Sequence, residues 1–158
     1  MKYLKFSGLC LLYACICVTV SAQNKVPLNQ PDYNKPALFN GLPDQIRVDI
    51  SELQHLFSQP AETGKEISVS FTDKTIPVFS GKVISVASKY ENTIRTLIIR
   101  SSNFSGATLT LSSSILPDGT VRYTGRIISF QHGDLYELQQ QNDQYFLIKK
   151  KYNDLINE

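Results

Sequence analysis

From Glu66 onward the apolar positions of this chain come in short runs of β-branched and aromatic residues, each ended by a turn signal. The runs predict strands at about 66–72, 76–89, 93–102, 106–115, 120–131, 134–141 and 144–151. The breaks between them are short: Thr72-Asp73-Lys74, Glu91-Asn92, Asn103 to Gly106, Pro117-Asp118-Gly119, His132-Gly133 and Asn142-Asp143. Connections this tight permit antiparallel hairpins and exclude the long crossovers that parallel strands require. The fold class expected is therefore mainly β, an antiparallel meander of about seven strands.

Before the meander the pattern changes twice. Leu53, Leu56 and Phe57 fall at i, i+3 and i+4 behind Asp49-Ile50-Ser51-Glu52, a carboxylate cap with Glu three residues on, and Pro60 and Gly64 follow. This predicts one short helix near 50–58, packed on the sheet. Gln23 to Gln45 holds Pro27, Pro31, Pro36 and Pro43 among Asn, Gln and Gly with no apolar period, so 23–45 is expected to be an arm or linker and 46–158 a single β domain. In the first 22 residues Lys2 and Lys5 precede the apolar run Leu9 to Val20 and the small-residue site Val20-Ser21-Ala22. That order is a signal peptide cleaved before Gln23, too short to span a membrane, and it directs the protein outside the cytoplasm, secreted or periplasmic. Lipid attachment at Cys15 is the lesser alternative, because Tyr13 is bulky where small residues are usual.

Processing changes the composition. Cys10, Cys15 and Cys17 all lie in the leader, so the mature chain is cysteine-free and must be held by its core. The formal charge of +2 belongs to the whole chain; without Lys2 and Lys5, 14 basic residues face 14 acidic ones. A neutral chain gives no electrostatic case for nucleic acid. Lys149-Lys150-Lys151 is the one basic run, and strand alternation would split it between two faces.

Two features bear on sheet shape. Phe79-Ser80-Gly81-Lys82-Val83-Ile84-Ser85 aligns with Tyr123-Thr124-Gly125-Arg126-Ile127-Ile128-Ser129, each in the middle strand of a three-strand unit. Gly81 and Gly125 are strand-bend candidates, as a small barrel or strongly bent sheet requires. Leu97-Ile98-Ile99 and Tyr145-Phe146-Leu147-Ile148 are apolar at consecutive positions, which predicts burial on both faces, with the helix covering part of the outer one.

Candidate chemistry is sparse. His132-Gly133-Asp134, with Glu137 near, is a weak candidate for a general base or ligand pair, but no His-Glu-x-x-His helix or cysteine pair completes a metal site. The preferred reading is a turn in which Gly133 takes positive φ and Asp134 bonds the turn backbone. No Gly-x-Ser-x-Gly elbow or glycine-rich phosphate loop occurs, and Ser112-Ser113-Ser114 is expected to be polar surface at a strand edge. No catalytic residue, cofactor or metal is expected. Tyr90, Tyr123, Tyr136, Tyr145, Phe130 and Phe146 are expected to fill the core rather than line a ligand cavity, and Asn103-Phe104-Ser105 matches the glycosylation triplet.

Leu42-Pro43-Asp44 before the helix, Ser102-Asn103-Phe104 leading to Gly106-Ala107-Thr108-Leu109-Thr110-Leu111, Tyr123 to Ser129, His132-Gly133-Asp134, Tyr136-Glu137-Leu138 and Tyr145-Phe146-Leu147 resemble a β-rich region that precedes reprolysin-like zinc peptidase domains in secreted bacterial proteins. The resemblance spans about 38–151; no peptidase domain or zinc motif occurs in the 158 residues. It implies an accessory or pro-region-like module and carries over no catalytic residue. The expected function is a secreted, non-enzymatic β module that binds a protein partner, such as a secreted peptidase, by an exposed strand edge or the proline-rich arm. Two alternatives stand beside it: a small apolar-ligand carrier with a hollow barrel, and a hydrolase using His132 and Asp134.

Overall fold

The computed structural model describes residues 34–58 and 61–155; the expected leader, the cysteines and the expected arm up to residue 33 lie outside the described residues. Eight strands follow one another: β1 (Gln45–Val48), β2 (Glu66–Val69), β3 (Phe79–Lys89), β4 (Ile94–Ser101), β5 (Thr108–Ile115), β6 (Val121–Ile128), β7 (Asp134–Gln141) and β8 (Gln144–Lys151). Helix α1 (Ile50–Ser58) joins β1 to β2, and a 3-10 turn (Tyr152–Leu155) follows β8.

All eight strands form one antiparallel sheet in the order β1-β8-β7-β6-β5-β4-β3-β2. It curls into a half-barrel. The Thr72 N–H donates to the Arg47 carbonyl at 3.2 Å, so the chain just past β2 touches β1 although the two edge strands do not pair. The strand missing from the sequence reading is β1: Gln45-Ile46-Arg47-Val48 is only four residues long and sits at the end of a proline-rich stretch.

Local chemistry accounts for the turns. Glu91 and Asn92 have φ of 54° and 71°, and Asn142 and Asp143 have 47° and 61°, the left-handed pairs that let a two-residue loop match strand twist. At the β5–β6 turn Asp118 Oδ1 accepts the N–H and the hydroxyl of Thr120, which lowers the Asp118 pKa.

The concave face carries the core. Phe79, Val83, Leu97, Ile99, Leu109, Leu111, Tyr123, Ile127, Tyr136, Leu138, Tyr145 and Leu147 all point into it, joined by Ile46 and Val48 of β1. Helix α1 forms where predicted, its first turn closed by the Asp49 carbonyl, which accepts the N–H groups of Glu52 and Leu53. The expectation that it covers the outer face is overturned. Leu53 shares the interior with Val69, Leu109, Leu111, Ile127 and Leu147, and the Phe57 ring stacks on Tyr123 at 5.8 Å. An unclosed barrel has an open mouth, and the helix buries more apolar surface there than on a convex wall. Ile98, Phe146 and Ile148, on the outer face, are accordingly only half-buried.

The opposite end is plugged by chain expected to be linker. Phe39 is 1% exposed, packed on Tyr136 and Phe104 with ring centroids 5.0 and 5.5 Å away. Residues 34–44 therefore belong to the folded unit, and the rest of the arm expected over 23–45, up to residue 33, lies outside the described residues.

Candidate functional site

His132-Gly133-Asp134 turns out to be the clamp for that plug. Asp134 is buried, and its Oδ1 and Oδ2 accept the main-chain N–H groups of Leu38 at 2.6 Å and Phe39 at 2.8 Å. The Gly133 N–H donates to the Pro36 carbonyl at 2.9 Å, and Lys35 Nζ donates to the Phe130 carbonyl at 2.8 Å. Buried backbone donors need partners, and a proline-rich segment without strand neighbours finds them in this turn. Further along, the Tyr136 hydroxyl donates to the Pro43 carbonyl, and Lys149 Nζ donates to the Leu42 carbonyl and lies 3.5 Å from Asp44. Burial first, then the charges of Asp44 and Asp134, raise the Tyr136 pKa, so its hydroxyl stays a donor.

Positive φ at Gly133 is a correction. Among the described residues the glycines in the left-handed region are Gly64, Gly106 and Gly119. Gly133 is needed for space instead: a Cβ there would lie 2.8 Å from the Lys35 carbonyl oxygen. Gly81 and Gly125 also sit against backbone, where a Cβ would meet the Arg100 oxygen at 2.2 Å and the Thr110 oxygen at 2.6 Å. The two repeat segments thus place Phe79, Gly81, Val83 and Tyr123, Gly125, Ile127 on the same concave face.

The geometry does not assemble a nucleophile and base. His132 Nδ1 lies 2.8 Å from Ser129 Oγ, but Ser129 is 0% exposed and Asp134 spends both oxygens on amides. A working triad needs a reachable hydroxyl and a carboxylate orienting the other face of the imidazole. Ser113 faces the core rather than a sheet edge, because β5 is a central strand. Ser112 bonds Thr96 across the outer face at 2.9 Å. Asn103 is absorbed in structure as well: its Nδ2 donates to the Val78 carbonyl at 2.7 Å and its Oδ1 accepts the Ser80 N–H. Among the described residues no group of three or more His, Cys, Asp and Glu is placed to hold a metal ion.

The lysine run divides as alternation requires. Lys149 turns toward the plug, while Lys150 joins Glu137 at 2.6 Å on the outer face, where Arg126 meets the same carboxylate at 2.7 Å. Burial pushes the Glu137 carboxyl up, yet the hydrogen bonds from Lys150, Gln139 and Arg126 outweigh it and hold it at about 2. A cleft of about 590 Å³ lies over the plug, lined by Lys35, Asn40, Asp44, Lys149, Asn153 and Asp154 among others, with charges of both signs. An interior gap between Val48, Leu53, Leu109 and Leu147 measures about 10 Å³, scarcely room for one water. Phe39 from one end and α1 from the other fill the space around it.

The feature that sequence reading missed is at the α1 end. β3 runs to Lys89, but β2 pairs only with Phe79 to Lys82, and Gly64 and Lys65 bond Val83; from Ile84 on, no strand among the described residues lies on the side of β3 away from β4. β6 begins at Val121, but β7 joins it only from Gly125, and the Tyr123 N–H turns to the Tyr145 hydroxyl at 3.1 Å instead. Strands β3 to β6 therefore project as a flap with two unpaired edges. Val86 pairs with Leu97, and Ile115 with Val121, so all three lie on the concave face that elsewhere is the core, yet they are exposed. Arg95 stands beside them, donating to the Phe57 carbonyl at the end of α1. Among the described residues, seven of the ten exposed large hydrophobics are on this flap: Ile84, Val86, Tyr90, Ile94, Ile115, Leu116 and Val121. Pair register, which sequence alone does not supply, is what leaves them uncovered.

Compared with family models, with curated proteins and with solved structures, the chain matches none of them.

Proposed function

We propose that this protein is an exported, non-enzymatic β module that binds another protein at the projecting flap. The observation that carries the reading is Val86, Ile115 and Val121, apolar and exposed on the concave face, between two unpaired strand edges. Exposed apolar side chains framed by free backbone donors and acceptors are suited to an added strand whose side chains settle on them. The leader motif supports action outside the cytoplasm, and the resemblance to regions preceding reprolysin-like domains makes a secreted peptidase the first partner to test. His132 and Asp134 are engaged in the clamp, which favours binding over hydrolysis.

The test is affinity capture of the exported, tagged protein from its own secretome, repeated with Ile115→Glu and Val121→Glu. A partner captured by the parent and lost by both variants, with parent-like thermal melts, supports the reading. Capture that survives both substitutions overturns it. Among the described residues no helix is long and apolar enough to cross a membrane.

A further inference from the structure

Strand alternation decides which groups the flap offers to a partner. The Ile115 N–H donates to the Thr93 carbonyl and the Ser101 N–H to the Ala107 carbonyl, so Arg95, Leu97 and Ile99 turn their peptide groups to β5. Ile94, Thr96 and Ile98 therefore bond Lys89, Ala87 and Ser85, and the peptide groups of Val86 and Ser88 face away from β4. The same two residues point their side chains to the concave face, since Val86 stands opposite buried Leu97 and Ser88 opposite Arg95. The β6 edge offers less, because the Tyr123 N–H is spent on the Tyr145 hydroxyl.

Arg95 is the residue of this face that lacks a counterpart. It lies opposite Ser113, one row from Ile115 on one side and from Leu97 and Val86 on the other. Among the strand residues on the concave side of the flap it is the single charge, for Lys89 and Arg122 stand on the outer face. Its guanidinium donates to the neutral Phe57 carbonyl and lies 5.8 Å from the Phe57 ring centroid, and among the described residues no carboxylate pairs with it. A half-buried cation beside apolar side chains gains most from a carboxylate, which the planar fork of N–H donors fits.

We propose that the partner segment docking on the β3 edge carries a glutamate to Arg95, two residues from an apolar side chain that settles beside Val86. The inference rests on the reading of the flap as a protein-binding surface and names the chemistry of what binds there. A strand added at this edge bonds the open peptide groups of Val86 and Ser88, and its side chains two residues apart share one face. The residue beside Val86 meets an aliphatic neighbour. The residue beside Ser88 looks toward Arg95 across a short side chain, whose hydroxyl is turned to Asn92 Oδ1 at 2.7 Å. Two strand spacings are about 10 Å, a gap that Arg and Glu side chains close together. The carboxylate is a side chain rather than a chain end, because a terminal residue beside Ser88 would stop the strand there and give up a backbone carbonyl to pair with.

The experiment titrates the exported protein with labelled synthetic peptides, read by fluorescence polarisation and by the side-chain Nε–H resonance of Arg95 in nitrogen-edited NMR spectra. The probe is Thr-Val-Thr-Glu-Thr-Val-Thr, whose core reads the same in both chain directions, and the controls carry Gln or Lys in place of Glu. The Glu peptide is expected to bind and to shift the Arg95 resonance, and the Gln and Lys peptides to bind roughly three- to thirtyfold more weakly. Arg95→Gln should abolish the preference for Glu over Gln, and Arg95→Glu should reverse it in favour of the Lys peptide. Arg95 also holds the Phe57 carbonyl, so thermal melts accompany each variant; if Arg95→Glu fails to fold, Arg95→Gln and the parent's own ranking of the three peptides decide. Equal affinity of the parent for all three peptides overturns the glutamate assignment, and so does a Glu preference that survives in Arg95→Gln. A parent that binds no peptide up to a few millimolar overturns it as well. None of these outcomes bears on secretome capture with Ile115→Glu and Val121→Glu, which judges the flap itself.

Discussion

At the scale of single residues, the HGD turn separates two explanations for one glycine. If Gly133 were required for a left-handed backbone, Asn would be a tolerable substitute, since its short polar side chain visits that region. The structure requires it because the Lys35 carbonyl fills the place of a side chain. Gly133→Asn and Gly133→Ala are therefore both expected to lower stability by about 1–3 kcal/mol, read from urea midpoints, because either forces the plug away from the turn. An Asn variant that melts like the parent would restore the positive-φ account. Glu137 gives a second test at this scale. Its pKa in the folded protein is about 2 against 4.5 when unperturbed, so its contribution to stability is full above 4.5 and lost as pH falls from 4.5 toward 2. The depression corresponds to at most about 3 kcal/mol, less what solvent screens from a partly exposed cluster. Glu137→Gln should accordingly be less stable than the parent at pH 7 and flatter in its decline below pH 4.5, measured as melting temperature against pH.

At the scale of elements, strand positions from β3 onward and the helix were legible because each has its own local signal: a β-branched run, a turn pair of Asn and Asp, a cap at Asp49. β1 was not legible, since four residues after a proline-rich stretch have no periodicity to display and become a strand only by pairing with Tyr145 to Ile148. The docking of residues 34–44 was likewise hidden. Its partners, Asp134, Tyr136 and Lys149, lie about ninety or more residues away in sequence, and each looks locally like a turn or strand residue. The helix face was read correctly but its destination was not, because Leu53 rather than Leu56 reaches deepest into the mouth. Leu53→Ala and Phe57→Ala are expected to cost about 2–5 kcal/mol each, and Leu56→Ala, half-exposed, clearly less. Equal losses at all three positions in urea titrations would mean that the helix packs on a broader face than the one described.

For the whole molecule, the fold is a half-barrel sealed twice, and the two seals have different chemistry. Helix α1 closes one mouth by apolar burial, with Arg95 holding the Phe57 carbonyl near its end. The plug closes the other mainly through polar bonds, among them two main-chain amides on the Asp134 carboxylate, with Phe39 as its only deeply buried side chain among residues 34–44. Its two main-chain amides at Leu38 and Phe39 depend on that one residue and lose their acceptors together when it changes. Asp134→Ala would leave the Leu38 and Phe39 amides buried without acceptors, at about 1–3 kcal/mol each for desolvated donors, unless the segment lets go. The plug is therefore expected to release rather than stay docked at that cost. Release would uncover the aromatic group of Phe79, Phe104 and Tyr136 while leaving the β4–β5 and β7–β8 ladders intact. Amide hydrogen exchange distinguishes local opening from global unfolding. In Asp134→Ala, residues 36–44 should lose protection while the central strands β4 to β6 keep most of theirs. Uniform loss of protection across the sheet would show instead that the plug is integral to the cooperative core and that the two seals form a single folding unit.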